Sequence, residues 1–514
     1  MNVLDYLQQA VHLSPHKAAF IERGSSCTFS QLQADGLRIG TYLQDKGVKK
    51  GDAVLLLQPL STDLYKALIG IWSIGAVALV FDPSAGREHI RACCAIIRPV
   101  AFIGSGKAML LTLYSRAIAA IPIKLTTGTV PFVRSFRKVL RQVATDATPH
   151  ASPHEAPQTS GESPALITFT SGSTGVPKAA VRTHAFLATQ YEVLSHSLSQ
   201  QESHVDFATL PIVALANLAA RITTVIADTS LTKMSRMDAA AVAKQMVDHR
   251  VSRLVASPTF MKRLAVYCNQ KQMTLPSLTH IYTGGGPVFP HIMEQMKQAM
   301  PNSKRFAVYG STEAEPIAEL DWDDVSPDDI EKMKIGGGLL SGHPVQQIDC
   351  KIISATFADQ YLPHGKIGEI VVHGAHVLKG YLNGVGDAEN KFEVDGARWH
   401  RTGDTGYFDE SGRLWLTGRA SAVIRDSKGV IYPFCVEAAV HAQFAVERVA
   451  FVSFLGKRTL VLERGAYHHE PAIRQQLQWA LIDQVLFVTE IPTDKRHNAK
   501  IDYRGLEKLL VSSQ

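Results

Sequence analysis

The chain alternates short, wholly apolar runs with longer stretches of helical periodicity. Val54-Leu55-Leu56-Leu57, Ala101-Phe102-Ile103 and Leu166-Ile167-Thr168-Phe169 carry no charge and predict strands buried on both faces. Strands of this kind, spaced by helical patterns, predict an α/β architecture with largely parallel sheets. The most apolar stretch, Ala67 to Phe81, predicts a buried helix followed by a buried strand, closed by Asp82-Pro83. It contains Gly70 and Gly75 and is too short to span a bilayer. Pro149 to Pro164 is rich in Pro, Ser, His and Gly and predicts an exposed loop leading into the third strand. Just before it, Pro131 to Arg141 predicts a short helix with proline at its first position. Phe132, Val133, Phe136, Val139 and Leu140 form its stripe, and Arg134, Arg137, Lys138 and Arg141 lie off it. A basic amphipathic helix is a candidate for a membrane surface. The ordinary alternative, which we prefer at this level, has the apolar face inward and the charges in water. From Ile367 onward the pattern changes to strands separated by turns, with Gly368 to Val372 and Leu414 to Arg419 the clearest. A compact tail follows, so we expect a domain of residues 1–418 and a smaller one of 419–514.

Composition agrees with a folded, multidomain chain. Of 514 residues, 46% are hydrophobic and 19% charged, too much apolar surface for disorder and too long a chain for one simple core. The net charge of +6 gives no warrant for nucleic-acid binding. The six cysteines form no CxxC pair and no zinc spacing with histidine, and predict reduced, mostly buried residues of a cytosolic protein. The N-terminus, Met1-Asn2-Val3-Leu4-Asp5, lacks the basic head and apolar run of a signal peptide, and a cytoplasmic location is expected.

Candidate chemistry begins at Thr170-Ser171-Gly172-Ser173-Thr174-Gly175-Val176-Pro177-Lys178. A strand runs into a loop of glycines and hydroxyls ending in lysine. Glycine lets backbone N–H groups converge on an anion, the hydroxyls add donors, and Lys178 adds charge, a combination suited to polyphosphate. It is not the Walker loop, because Pro177 precedes the lysine and Ala179 follows it. By composition alone, a flexible Gly/Ser turn is an equal reading.

The ordered string resembles the signature loop of the adenylate-forming superfamily of acyl-CoA synthetases, peptide-synthetase adenylation domains and firefly luciferase, and further motifs follow in that family's order. Thr283-Gly284-Gly285-Gly286-Pro287 resembles the segment that lines the adenine pocket. Tyr309-Gly310-Ser311-Thr312-Glu313 resembles the motif whose threonine contacts phosphate and whose glutamate binds Mg²⁺. Arg401-Thr402-Gly403-Asp404 is similar to the segment whose aspartate binds both ribose hydroxyls, a task that suits a carboxylate facing a vicinal diol. Gly418-Arg419 resembles the nucleotide-contacting arginine near the interdomain hinge. Arg496-His497-Asn498-Ala499-Lys500-Ile501 is similar to the segment whose lysine drives adenylation. Taken singly, Glu313 reads as a surface carboxylate, Asp404 and the three glycines as turn residues, and Lys500 as a solvated tail residue; the shared order favours the site. The resemblance implies Mg·ATP as cosubstrate, a large N-terminal domain of α/β subdomains and a small mobile C-terminal α+β domain. Catalytic roles fall to Lys500, Thr312 and Glu313. Nucleotide contacts fall to Thr170, Ser171, Gly172, Ser173, Thr174, Gly175, Lys178, Gly284, Gly285, Gly286, Tyr309, Gly310, Ser311, Thr312, Asp404, Arg419 and Lys500.

Three details point to one branch. His497-Asn498-Ala499 stands before the lysine where Ser-Gly is usual, and this variant resembles the β-lactone synthetases of long-chain olefin biosynthesis. Tyr309 to Pro316 and Trp399 to Phe408 are similar to strings of the same branch, as is the short tail with its tight link at Gly456-Lys457-Arg458. The branch implies a 3-hydroxy fatty acid as substrate, a β-lactone as product, and an upstream enzyme or carrier protein that supplies the hydroxy acid. Two departures stand out. Leu210-Pro211-Ile212-Val213-Ala214-Leu215 has no gating histidine, and Ser421 stands where many relatives have Asp or Lys as the pivot of domain rotation. Gly429 is either a pantetheine-approach glycine or part of an ordinary hairpin turn. The alternatives to a lactone synthetase are a ligase that passes the acyl group to CoA or a carrier thiol, and a degenerate binding protein, against which the presence of Lys500, Glu313, Asp404 and Arg419 argues.

Overall fold

The structure, a computed structural model, describes residues 2–145, 159–171, 177–229, 237–354, 360–493 and 500–512. The chain divides into two compact units, Met1–Asp228 with Leu378–Glu389, and Thr229–Val377 with Asn390–Gln514.

The first unit holds a seven-stranded sheet in the order Arg134–Ser135, Ile123–Thr126, Ala101–Gly104, Ala53–Leu57, Val77–Val80, Pro164–Ser171, Pro177–Thr183. Every neighbouring pair is parallel except the last, an antiparallel hairpin. The continuous apolar runs are the reason: every residue of Ala53–Leu57 and Ala101–Gly104 is buried, as strands covered on both faces require. The apolar stretch from Ala67 folds as expected, into the helix Thr62–Ser73 and the strand Val77–Val80. That helix lies close against Phe29–Asp45; a Cβ on Gly40 would come 2.3 Å from Ser73 Oγ, so only glycine permits the approach. Four further strands of this unit run in the order Val205–Ala208, Thr223–Val225, Ala18–Glu22, Ser25–Thr28, parallel until the final pair.

The second unit begins with three parallel strands, Arg253–Ala256, His280–Gly284 and Lys304–Ser311. After the turn at Thr312 and Glu313 the sheet becomes antiparallel, continuing through Ala314–Asp321, Leu339–Pro344, Leu414–Arg419, Ala397–Phe408, Gly368–Gly374 and Ile348–Ile353. Beyond Arg419 lies a small α+β part. The hairpin Ile424–Asp426 and Gly429–Ile431 leads into the helix Pro433–Gln443. A three-stranded sheet, Val449–Phe454, Lys457–Glu463 and Gln484–Val488, and a last helix, Tyr503–Ser512, complete it. Buried Arg458 ties this part together, donating to both Asp426 oxygens at 2.7 and 2.8 Å.

The helix expected over residues 131–141 instead covers Phe136–Thr145. Phe132 has φ 59°, a left-handed conformation that no helix continues, and Arg134–Ser135 is drawn into the sheet beside Leu125 and Thr126. Phe136 and Val139 are buried, so this helix turns its apolar stripe inward, as in the preferred reading. Of the expected loop, residues 149–158 lie outside the described residues, and Pro164 opens the strand it leads to. All six cysteines are free thiols. Among the described residues, no helix is long and apolar enough to cross a membrane.

Candidate active site

In the first unit, Thr170 and Ser171 end the strand Pro164–Ser171 and pair with Lys178 and Pro177 across the hairpin. Gly172, Ser173, Thr174 and Gly175 lie outside the described residues. The two strands fix where the lysine emerges. Its side chain is buried, with Nζ 3.4 Å from Glu389 Oε2 and 5.7 Å from the centre of the Tyr381 ring. Gly386 lets it lie there, since a Cβ at that glycine would come 2.5 Å from Lys178 Cδ. Sequence reasoning missed Glu389 and Tyr381, which stand some 200 residues further along the chain and carry no motif of their own.

In the second unit the remaining motifs cluster at strand ends. Gly284 closes the strand His280–Gly284, and Gly285, at φ 80°, turns the chain away before Gly286. At Gly284 a Cβ would meet the Val308 carbonyl at 2.5 Å, so glycine is needed for the strands to approach. Tyr309, Gly310 and Ser311 end the adjacent parallel strand, and Thr312 and Glu313 form the turn beyond it. The carboxyl ends of parallel strands in an open α/β sheet are where ligands bind. Two hydroxyls at these ends, Thr283 Oγ1 and Ser311 Oγ, are buried without a hydrogen-bond partner among the described residues. Buried polar groups are almost always paired, so these two are suited to a polar ligand.

Asp404 lies on the strand Ala397–Phe408, directly opposite Arg419 on Leu414–Arg419. Its Oδ2 accepts from the Tyr309 hydroxyl at 2.8 Å and its Oδ1 from Arg419 Nη1 at 2.8 Å. Each oxygen keeps a lone pair, enough for two hydroxyls of a diol. The turn is set from beneath: Gly403 has φ 71°, the Thr402 hydroxyl donates to the Ile370 carbonyl at 2.8 Å, and Arg401 pairs with Glu369 at 2.6 Å. Asp404 raises the Arg419 pKa by its charge, while burial followed by Asp404 raises that of Tyr309, so Tyr309 stays a neutral donor. Glu313 also acts on Arg419, and on His400, whose pKa burial lowers to about 4. The motif tyrosine, aspartate, arginine and glutamate thus share one electrostatic neighbourhood. His400 is a neutral member of it that the motif reading passed over.

A single carboxylate suits Mg²⁺, which keeps several waters and takes its other ligands from phosphates. Among the described residues no group of three or more His, Cys, Asp or Glu forms a metal cluster, and Glu313 is one of two carboxylates, with Asp404, that act on Arg419.

Lys500 is exposed, next to Ile501, which bridges Thr493; Arg496, His497, Asn498 and Ala499 lie outside the described residues. Tyr503, three residues on, donates to Glu437 at 2.9 Å and feels the charge of Arg419. Tyr503 therefore lies within the electrostatic reach of Arg419.

Against known proteins, the pattern of the AMP-binding enzyme family matches residues 7–382, well over half of the chain. The chain belongs to the AMP-binding enzyme family. It is 29% identical to the olefin beta-lactone synthetase of Stenotrophomonas maltophilia (strain K279a), over 94% of this chain and 90% of that protein. In fold it is similar to the anthranilate CoA ligase AuaEII in complex with anthranoyl-AMP, with a TM-score of 0.84 and 19% identity over 100% of this chain and 98% of that one. It is similar too to ATP-bound MatB from Rhodopseudomonas palustris, with a TM-score of 0.80 and 21% identity over 99% of each. The expected architecture, a large N-terminal α/β part and a small C-terminal one, is the architecture of these adenylate-forming enzymes. The protein is an AMP-forming acid ligase. Asp404, Arg419 and Lys500 fall beyond the segment that the family pattern matches, which makes the hydrogen bonds linking Asp404 to Tyr309 and Arg419 independent support for their grouping.

Proposed function

We propose that this AMP-binding enzyme activates a 3-hydroxy fatty acid with ATP and closes it to a β-lactone. The observation that carries this reading is the 29% identity to an olefin beta-lactone synthetase along 94% of the chain. In the first step a carboxylate oxygen of the acid attacks the α-phosphorus of ATP, and pyrophosphate leaves. Asp404 accepts the ribose hydroxyls, Arg419 and Tyr309 hold Asp404 in place, and Thr312 donates to phosphate. The hairpin residues Thr170, Ser171, Gly172, Ser173, Thr174, Gly175 and Lys178 hold the polyphosphate, and Gly284, Gly285 and Gly286 bound the adenine. Lys500 stabilises the charge that builds as the acid and phosphate oxygens converge. Glu313 would hold Mg²⁺, which when bound neutralises phosphate charge.

In the second step the substrate's 3-hydroxyl loses its proton, its oxygen bonds to the activated carbonyl carbon, and AMP departs. A nucleophile tethered to its target has a high effective concentration, and the good leaving group offsets the strain of a four-membered ring. No external thiol enters the balance. Residues 419–514 act in this reading as the mobile domain that brings Lys500 to the nucleotide, and an upstream enzyme or carrier protein supplies the hydroxy acid.

The test of the first step is pyrophosphate release from ATP with a 3-hydroxy acid. Lys500→Ala is expected to lower the rate by roughly 100-fold or more, with ATP affinity little changed. An unaltered rate would remove Lys500 from the chemistry.

A further inference from the structure

The charge of this chain is concentrated in one place. From Arg87 to Arg141 there are ten lysines and arginines against a single acid, Glu88. That is an excess of nine in a chain whose total is +6, so the rest of the protein is net negative. The same segment holds five exposed large apolar side chains: Ile96 at 42%, Leu110 at 53%, Leu113 at 77%, Tyr114 at 60% and Phe132 at 109%.

Topology gathers most of these at one end of the seven-stranded sheet. Val77–Val80, Ala101–Gly104 and Ile123–Thr126 belong to its parallel part, so the segments leaving their carboxyl ends emerge on the same side. Those segments carry Arg87, then Lys107 to Tyr114, then Pro131 and Phe132. Contacts join them: the Arg87 guanidinium lies 6.0 Å from the Tyr114 ring, and a Cβ on Gly128 would come 3.1 Å from Gly106 N. Arg87, Lys107 and Arg116 in these segments are exposed, as are Arg137 and Lys138 in the helix that follows Phe132, where Arg137 also acts on the charge of Asp63. Pro164–Ser171 is parallel to Val77–Val80, so the phosphate-loop motif leaves the sheet at this same end.

We propose that this end of the first unit docks on an anionic lipid surface, with Leu110, Leu113, Tyr114 and Phe132 entering the headgroup region and the surrounding lysines and arginines facing lipid phosphates. Charge complementarity selects an anionic partner. The aliphatic tips select a lipid over a nucleic acid, because leucine gains from a hydrocarbon boundary and nothing from a phosphate backbone. The helix Phe136–Thr145 contributes charge but no apolar face, since Phe136 and Val139 are buried. The apolar contact is made instead by Leu110, by the short helix Leu111–Tyr114 and by Phe132, all ahead of that helix in the chain.

The experiment is co-sedimentation of the full chain, without substrate, with phosphatidylglycerol vesicles and with phosphatidylcholine vesicles. Binding to the first only, weakened by salt, is expected. The double variant Leu113→Asp/Phe132→Asp should stay in the supernatant, and Arg137→Gln or Lys138→Gln should weaken binding by about fivefold each. Unchanged melting and pyrophosphate release on a water-soluble acid would show that the variants are folded. No binding to anionic vesicles, or equal binding by parent and double variant, would overturn the proposal. Because no turnover is measured in the vesicle arm, its outcome is independent of whether the reaction yields a lactone.

Discussion

At the residue scale, the site rests on Asp404. Its two oxygens hold Tyr309 and Arg419, and Arg419 Nη1 also reaches the Thr402 carbonyl at 3.2 Å. Removing the carboxylate takes away an acceptor that several donors share. Asp404→Ala should weaken ATP binding by roughly 10- to 100-fold, the range for hydrogen bonds to a charged group, as read by titration calorimetry. Intact affinity would break the ribose assignment. Lys178 poses the opposite case. Its ammonium faces Glu389, a half-exposed carboxylate, and exposed ion pairs are weak. Under the proposed function, ATP phosphates and Glu389 compete for this one cation. Glu389→Gln should lower the KM for ATP by roughly two- to fivefold, and an unchanged or raised KM would show that the pair does not compete with phosphate.

At the scale of elements, the helix Pro433–Gln443 buries a carboxyl group. Glu437 accepts from Phe451 N at 2.9 Å and from the Tyr503 hydroxyl, linking this helix to a strand and to the last helix. Burial pushes its pKa up from 4.5 to about 7, against the lowering effect of those donors. The folded state therefore holds a proton that the unfolded state gives up, and this contribution to stability is full below about pH 4.5 and lost as pH rises through about 7. Glu437→Gln removes the slope. It should unfold in more denaturant than the parent above neutrality, by up to about 3 kcal/mol, and match it in acid. Parallel pH profiles of parent and variant would contradict this.

Elements also show what the sequence could carry. Ala53–Leu57 and Ala101–Gly104 were legible because strands buried on both faces are unbroken apolar runs. The helix expected from Pro131 was displaced because a non-local pairing, Arg134 with Leu125, claims its first turn. The motifs were legible because glycines and hydroxyls at strand ends form recognisable strings. The ties from Lys178 to Glu389 and from Glu437 to Tyr503 were not, since each joins residues 211 and 66 positions apart and neither partner stands in a pattern. Gly429 illustrates a reading that the structure narrows. At φ 104° it pairs with Asp426 in a two-residue hairpin turn, so backbone geometry alone accounts for the glycine.

At the scale of the molecule, membership in the AMP-binding enzyme family fixes acyl adenylation, and the second step is what distinguishes the branches. A lactone synthetase and a thiol ligase both pass through an acyl adenylate and differ in the nucleophile that expels AMP. The most direct measurement is mass spectrometry of the products from Mg·ATP with plain and 3-hydroxy fatty acids, each with and without CoA. The account predicts AMP and a dehydrated product, confirmed as a β-lactone, from hydroxy acids alone and without CoA. A thioester that forms only with CoA, from plain acids as readily as from hydroxy acids, would contradict it and make the chain a fatty acid–CoA ligase.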